Sequence, residues 1–463
     1  MRYMLFIVAL CVATSQLTYG QHRIEVSLQG YPQDTLVLGY HLGGERFFLD
    51  TAYRSAKDLF IFEAKDLLLH GLYTVYLLPD GRYFEFVVED AQNMAFSTHA
   101  DSLLAQLQVR GSLQNEYYTA CQRMQAAAQD VVAQQAELAT MLRRAGAKAE
   151  AAQADMNAYY YLDSVGQVQA ALVDDLPGTL VQAVVHAARE VAPPRFGGDR
   201  SKQFWYLKAH YFDDVDLSDA RLIRTPYPFE KLYGYLQKFT AFHPDSLNVA
   251  ADYLLQLAHK NPVTFEYYFG YLMNYFGQTE DMGMDECYVH LVENYVMKGL
   301  APTTISAKDS AAYIRAAEAI KPTLIGSIAP DIALERRDSS VVTLHGIEAP
   351  LLVLIFWDPD CSHCQHHLPD LIAMHERVKN RGVTFVGVCT RLGPTFRRCY
   401  EYADFLNTPW ETLSDHDLKS GFLKKYNLSK YPKFFILNAE KRIVAKNIPA
   451  ENLERIIVQL TKK

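Results

Sequence analysis

The sequence predicts a multi-domain protein in three consecutive parts: an N-terminal all-β sandwich or barrel, a central all-α helical domain and a C-terminal α/β domain. Three observations carry this reading. Apolar residues alternate in twos from about position 23 to 96, then recur at helical spacing from about 101 to 320. Beyond a composition change at Lys321-Pro322-Thr323-Leu324-Ile325-Gly326, strand-like and helix-like runs alternate. At 463 residues the chain is too long for one ordinary core, which fits several domains. The segments are expected at 1–20 (leader), 21–98, 99–321 and 322–463. Apolar content of 49% and charged content of 21% are those of a globular protein, and the net charge of −8 argues against a nucleic-acid partner.

The leader reads as a secretory signal. Arg2 is a minimal basic region, and Leu5-Phe6-Ile7-Val8-Ala9-Leu10-Cys11-Val12 is a short apolar core. Thr18-Tyr19-Gly20 then places small residues for cleavage near Gly20, giving an exported, periplasmic protein. No later run is long enough to span a bilayer once the signal is removed. Export implies an oxidising compartment, where disulfide chemistry is available.

In the β-rich part, Ile24, Val26 and Leu28 share one face of a strand, and Leu59-Phe60-Ile61-Phe62 suggests another. The clearest hairpin joins Leu72-Tyr73-Thr74-Val75-Tyr76-Leu77-Leu78 to Tyr83-Phe84-Glu85-Phe86-Val87-Val88 through Pro79-Asp80-Gly81, where glycine supplies a positive φ. In the helical part, residues 115–164 read as an antiparallel helix pair broken at Ala145-Gly146-Ala147. His210, His243 and His290 are scattered there and suit packing or solvent better than ligation. Cys121 and Cys287 read as separate buried thiols.

In the last part, residues 341–344 and 351–357 read as strands, 361–380 as a helix, 383–389 as a strand and 395–406 as a helix. A hairpin of 434–437 with 442–446 and a closing helix at 451–460 follow. This β-α-β then β-β-α order is thioredoxin-like. Its first helix opens with Cys361-Ser362-His363-Cys364, directly after Phe356-Trp357-Asp358-Pro359-Asp360. Cysteines three apart on a helix share a face and lie within reach of a disulfide. A cysteine at a helix N-terminus meets free N–H groups that favour thiolate, so Cys361 is expected below the free-thiol pKa of ~8.5. His363 assists by positive charge or a hydrogen bond; Asp360 opposes, as an adjacent carboxylate. The expected cofactor is none beyond the redox-active Cys361–Cys364 disulfide. Zinc is the competing use of such a pair, but no second CxxC exists, and His366 and His367 point to different sides of the helix. Cys389 and Cys399 are left open, either an accessory disulfide or, the favoured choice, two buried thiols.

Residues from about 330 to the end resemble the TlpA-like thiol–disulfide oxidoreductases of the thioredoxin superfamily. Four features carry the resemblance in order: Pro330-Asp331-Ile332-Ala333-Leu334; Phe356-Trp357 four residues before the first cysteine; Pro369, which matches the helix-kinking proline; and Tyr431-Pro432, where the family places a cis-proline loop. The resemblance implies that Cys361 attacks, Cys364 resolves, and the backbone at Tyr431 beside Pro432 pairs with an extended client. It further implies protein thiols and disulfides as partners and a reductase recharged by a membrane-linked donor, although His363 favours the oxidising direction. Three positions depart from the pattern: Asp360 stands in place of Trp, His367 in place of Glu, and Ile355 where thioredoxin buries an acid. Phe212-Asp213-Asp214-Val215-Asp216-Leu217-Ser218-Asp219 and Met282-Gly283-Met284-Asp285 resemble the central domain of long secreted thioredoxin-like proteins of Bacteroidetes-type bacteria. Two other readings stand beside this one. One is a thiol peroxidase, whose sites place Thr or Ser where this chain has Asp358; the other is a binding module whose helical domain captures a partner.

Overall fold

Alternating apolar residues need a sheet that buries one face, and the N-terminal part folds that way. The structure, a computed structural model, describes residues 22–190, 192–194, 196–279 and 281–462. The leader assigned to 1–20 lies outside them. The chain divides into two compact units, the first ending at Phe239 and the second beginning at Thr240. Each is described by itself.

In the first unit, among the described residues, eight strands precede the helices: β1 (His22–Gln29), β2 (Thr35–Leu42), β3 (Glu45–Ala56), β4 (Leu59–Ala64), β5 (Gly71–Leu77), β6 (Arg82–Val88), β7 (Asn93–His99) and β8 (Gln108–Arg110). They join in the order β6-β5-β2-β3-β4-β1-β7-β8, all neighbours antiparallel except β1 and β7. The long β3 belongs to both halves of the sheet, pairing with β2 along one stretch and with β4 along another. Ile24, Val26, Phe60, Phe62 and Phe96 from one half share a core with Leu36, Leu38, Val75 and Phe86 from the other. The expected hairpin is β5–β6, with Gly81 at φ +72°.

Helices α1 (Leu113–Arg144) and α2 (Lys148–Val173) form the expected pair, and Gly146 turns the chain between them at φ +80°. The same unit holds α3 (Leu180–Ala188), α4 (Arg200–Ala209) and α5 (Tyr227–Lys238). Buried Asn115 ties α1 to the sheet, because its side-chain oxygen accepts from Val87 N at 2.7 Å and its amide donates to Val87 O at 2.8 Å. Glu89 plays the same part for α3, accepting from Leu180 N at 2.9 Å and pairing with Arg221.

The second unit opens with α6 (Pro244–Ala258), α7 (Pro262–Gln278), α8 (Asp285–Leu291) and α9 (Ala307–Ile320). Then come β9 (Ala333–Glu335), β10 (Val341–Thr343), β11 (Leu351–Trp357), α10 (Ser362–Val378), β12 (Val383–Cys389), α11 (Arg397–Leu406), β13 (Glu411–Ser414), α12 (Phe422–Lys425), β14 (Lys433–Asn438), β15 (Ile443–Lys446) and α13 (Ala450–Leu460). The strand order is β10-β9-β13-β12-β11-β14-β15, with β11, β12 and β13 parallel and β14 antiparallel to β11. Central β11 is buried along its whole length. Its odd-numbered residues pack with α10, α11 and α13, while Leu352, Leu354 and Phe356 pack with Phe422 and Tyr426 on the other side. A sheet between two helical layers demands this doubly apolar strand.

The composition change after α9 is pinned rather than loose. Gly326 N donates to Ile443 O at 2.8 Å and Ala329 N to Lys441 O at 2.9 Å, so the segment runs beside β15. Nearby, Lys446, with a side chain 2% exposed, pairs with Asp285 at the start of α8. Burial pushes the Lys446 ammonium below its ordinary range, and Asp285 pulls against that shift.

Replacing Asn115 with Ala strands the N–H and C=O of Val87 in the interior. Chemical denaturation should show a loss of about 1–3 kcal/mol, and an unchanged midpoint would remove Asn115 from this role.

Candidate active site

Strand β11 ends at Trp357 because the next three residues are Asp358-Pro359-Asp360, which cannot continue a buried strand. The turn is held by its own groups: Asp360 N donates to Asp358 Oδ1 at 2.8 Å, and Cys361 N donates to Asp358 O at 3.2 Å. Cys361 is thereby placed as the N-cap residue of α10, in extended backbone at φ −79° and ψ 118°. Its sulfur is half-buried and lies 3.5 Å from Tyr431 O, to which the thiol donates. Both site cysteines are thiols. Cys364, one turn along, is fully buried. Burial pushes its thiol strongly up, and its hydrogen bond with Cys361 adds to this, while a hydrogen bond from the backbone of Asp358 opposes it.

Tyr431 precedes Pro432 through a cis peptide bond. Burial also raises the Tyr431 phenol, against a hydrogen bond with Thr390. Thr390, just past β12, reaches back as well: its N and Oγ1 both donate to Trp357 O, at 3.0 and 3.1 Å. The ends of β11 and β12 and the loop before β14 are therefore linked beside Cys361. The indole of Trp357 is wholly buried beneath them. Gly387 leaves room for that ring, since a Cβ there would lie 3.0 Å from Trp357 Nε1 and 3.1 Å from Trp410 Nε1.

The structure thus brings together Cys361, Cys364, Tyr431 and the carbonyl of Trp357. His363 is exposed on the first turn of α10, and the Cys361 thiol bonds to Tyr431 rather than to its ring. Asp360 is held between Arg391 and Arg398. Among the described residues, no three His, Cys, Asp or Glu side chains stand together as a metal ion would require.

Three features escape sequence reasoning. Cys389 and Cys399 form a disulfide with Cα atoms 6.0 Å apart, where two buried thiols were the favoured expectation. The end of β12 and the first turn of α11 face one another in the core beneath Trp357, a proximity that ten residues of sequence separation do not reveal. Arg391 and Arg398, flanking those cysteines, are carried to the turn with them. Lys433, next to Pro432, is mostly buried and donates to Asn427 O at 2.9 Å.

Fold and site together give residues from about 325 onward a thioredoxin-like fold with a cysteine pair at the head of its first long helix. Residues 325–446 match the model of the AhpC/TSA family, and residues 180–321 match a domain of unknown function, DUF5106. Among solved structures, a thioredoxin-like protein from Bacteroides caccae is 14% identical, covering 58% of this chain and 97% of its own, with a TM-score of 0.47. The thioredoxin domain of a thiol-disulfide oxidoreductase from Bacteroides vulgatus is 22% identical over 30% of this chain and 98% of its own, with a TM-score of 0.28. A domain of a possible thiol-disulfide isomerase from Cytophaga hutchinsonii is 24% identical over 30% and 92%, with a TM-score of 0.27. No curated protein matches the chain. Among the described residues, no helix is long and apolar enough to cross a membrane.

Burial pushes the Lys433 ammonium down to about 8; the neighbouring Lys446 adds repulsion and Asp285 opposes both. The folded state therefore binds this proton more weakly than the unfolded chain, so the group's destabilising effect is full below pH 8 and fades as pH rises towards its ordinary range. Replacing Lys433 with Met should accordingly raise Tm more at about pH 7 than at about pH 9.5. Equal gains at both pH values in paired thermal melts would contradict this.

Proposed function

We propose that this chain is an exported thiol–disulfide oxidoreductase that exchanges disulfides with protein clients, as a reductase. The observation that carries the proposal is the asymmetry of the two thiols. One is half-buried at the head of a helix, its thiol donating to the Tyr431 carbonyl; the other is buried one turn below with its pKa raised.

In the first step the Cys361 thiolate attacks one sulfur of a client disulfide. A Cys361–client bond forms, the client S–S bond breaks, and the second client sulfur leaves as thiolate. In the next step Cys364 gives up its proton, which the released client thiolate takes through solvent, and attacks Cys361 Sγ. The Cys361–Cys364 disulfide forms, and the client's remaining sulfur departs, so the client gains the two electrons that this pair gives up. An external dithiol, membrane-linked in the cell, then reduces the pair again. The raised pKa of Cys364 keeps it protonated, and so unreactive, until Cys361 is engaged. A client segment lying along the Tyr431 carbonyl would take the place of the Cys361 hydrogen bond. The Cys389–Cys399 disulfide supports an oxidising compartment, in keeping with the leader at 1–20.

The AhpC/TSA match favours a second reading, a thiol peroxidase. There Cys361 sulfur would take an oxygen from a hydroperoxide, releasing the alcohol, and Cys364 would condense with it to give the disulfide and water.

One set of assays separates the two. With dithiothreitol as donor, the full-length protein should accelerate insulin-disulfide reduction, and Cys361→Ser should return the rate to that of dithiothreitol alone. Cys364→Ser should accumulate protein–client mixed disulfides. Turnover retained by both variants would end the proposal, and peroxide consumption without insulin reduction would establish the second reading instead.

A further inference from the structure

A carboxylate adjacent to a nucleophilic thiol opposes its ionisation, yet this chain sets Asp360 directly before Cys361 and Asp358 three residues before it. Both carboxylates are occupied. Arg391 donates from Nε to Asp358 Oδ1 at 3.0 Å and bridges with Nη2 to Asp360. Arg398 grips Asp360 with two parallel bonds, Nη1 to Oδ2 and Nη2 to Oδ1, each 2.7 Å. Exposed single ion pairs contribute little, but a bidentate pair within a network of two arginines and two aspartates is the arrangement in which such contacts hold geometry.

The two arginines come from one short segment. Cys389 and Cys399, both fully buried, close residues 390–398 into a loop with Arg391 near one end and Arg398 at the other. The loop is also seated by Thr390 on Trp357 O and by Gly393 N donating to His416 O at 2.9 Å. Neither arginine contacts a reacting sulfur; each acts on the turn that carries one.

We propose that Arg391 and Arg398 are positioning residues that offset the charge of Asp358 and Asp360 beside Cys361, and that the Cys389–Cys399 disulfide holds them there. This rests on the reading of Cys361 as the attacking thiol. It assigns the accessory disulfide a purpose, because opening it would free the arginines and leave two uncompensated carboxylates at the nucleophile. The ionisable groups around Cys361 are then Asp358 and Asp360 on the turn, His363 and Cys364 on α10, Arg391 and Arg398 on the closed loop and α11, and Tyr431 before β14. All but the ones changed are common to every variant below.

The test is the pH dependence of Cys361 alkylation by iodoacetamide, followed by mass spectrometry on the full-length Cys364→Ala protein. In that background, Arg391→Gln with Arg398→Gln should move the midpoint up by about one pH unit, making the reaction several-fold slower at neutral pH. Adding Asp358→Asn and Asp360→Asn should bring the midpoint back, which a merely structural role for the arginines would not do. Cys389→Ser with Cys399→Ser should shift it in the same direction as the arginine changes. An unmoved midpoint in the arginine variant overturns the inference while leaving the oxidoreductase reading intact, and failure of the asparagines to restore it overturns charge compensation. A shift with the arginine changes but none without the disulfide removes the disulfide's part, and near-UV circular dichroism identifies a serine variant that has merely lost its fold. If Cys361 of the folded Cys364→Ala protein does not alkylate at all, the reading of the site fails instead.

Discussion

Seven consecutive side chains of β11, Leu351 to Trp357, are withdrawn from water on both faces of the sheet, and the cysteine pair of this domain is placed by where that strand stops. A strand so apolar has to sit centrally, between β12 and β14, and its C-terminal end has to break out towards solvent. Asp358-Pro359-Asp360 makes that break in three residues and delivers the next position, Cys361, to the head of α10. The same register puts Lys433 opposite Phe356, which brings the Tyr431 carbonyl to the cysteine. Reachability of one sulfur and burial of the other are thus both consequences of strand placement.

The central features were legible because they are local. Cys361 and Cys364 lie within one helical turn, the β5–β6 hairpin turns through Pro79-Asp80-Gly81, and the α1–α2 break falls at Gly146, all within short windows of chain. What was hidden depends on distant partners. Strand β13, Glu411-Thr412-Leu413-Ser414, is too short and too polar at its first residue to signal itself, and it is a strand because it pairs with the end of β12. The Cys389–Cys399 bridge needed the packing of α11 against the sheet to be known, and Arg391 and Arg398 could be found only through that bridge. Sharing one core between the two halves of the N-terminal sheet likewise depends on β3, whose mostly exposed residues show little of the alternation that marks its neighbours.

Around Cys361 the molecule separates two physical tasks. Solvation distinguishes the thiols, since Cys364 is buried and its ionisation is suppressed. Charge is handled by side chains that never touch sulfur, with the aspartates of the turn answered by arginines from a loop tied at both ends. The carboxylates beside Cys361 are those of the turn itself, Asp358 and Asp360, each paired with Arg391.

The buried Lys446–Asp285 contact bears on how this polypeptide can be dissected. A fragment trimmed at the compositional break near 321 would keep the Lys446 ammonium and discard the Asp285 carboxylate, leaving that cation beside Lys433 without its partner. Severing the chain between Phe239 and Thr240 retains both. Helices α6 to α9 are, in that sense, part of the foundation of the thioredoxin-like fold and not an ornament attached to it.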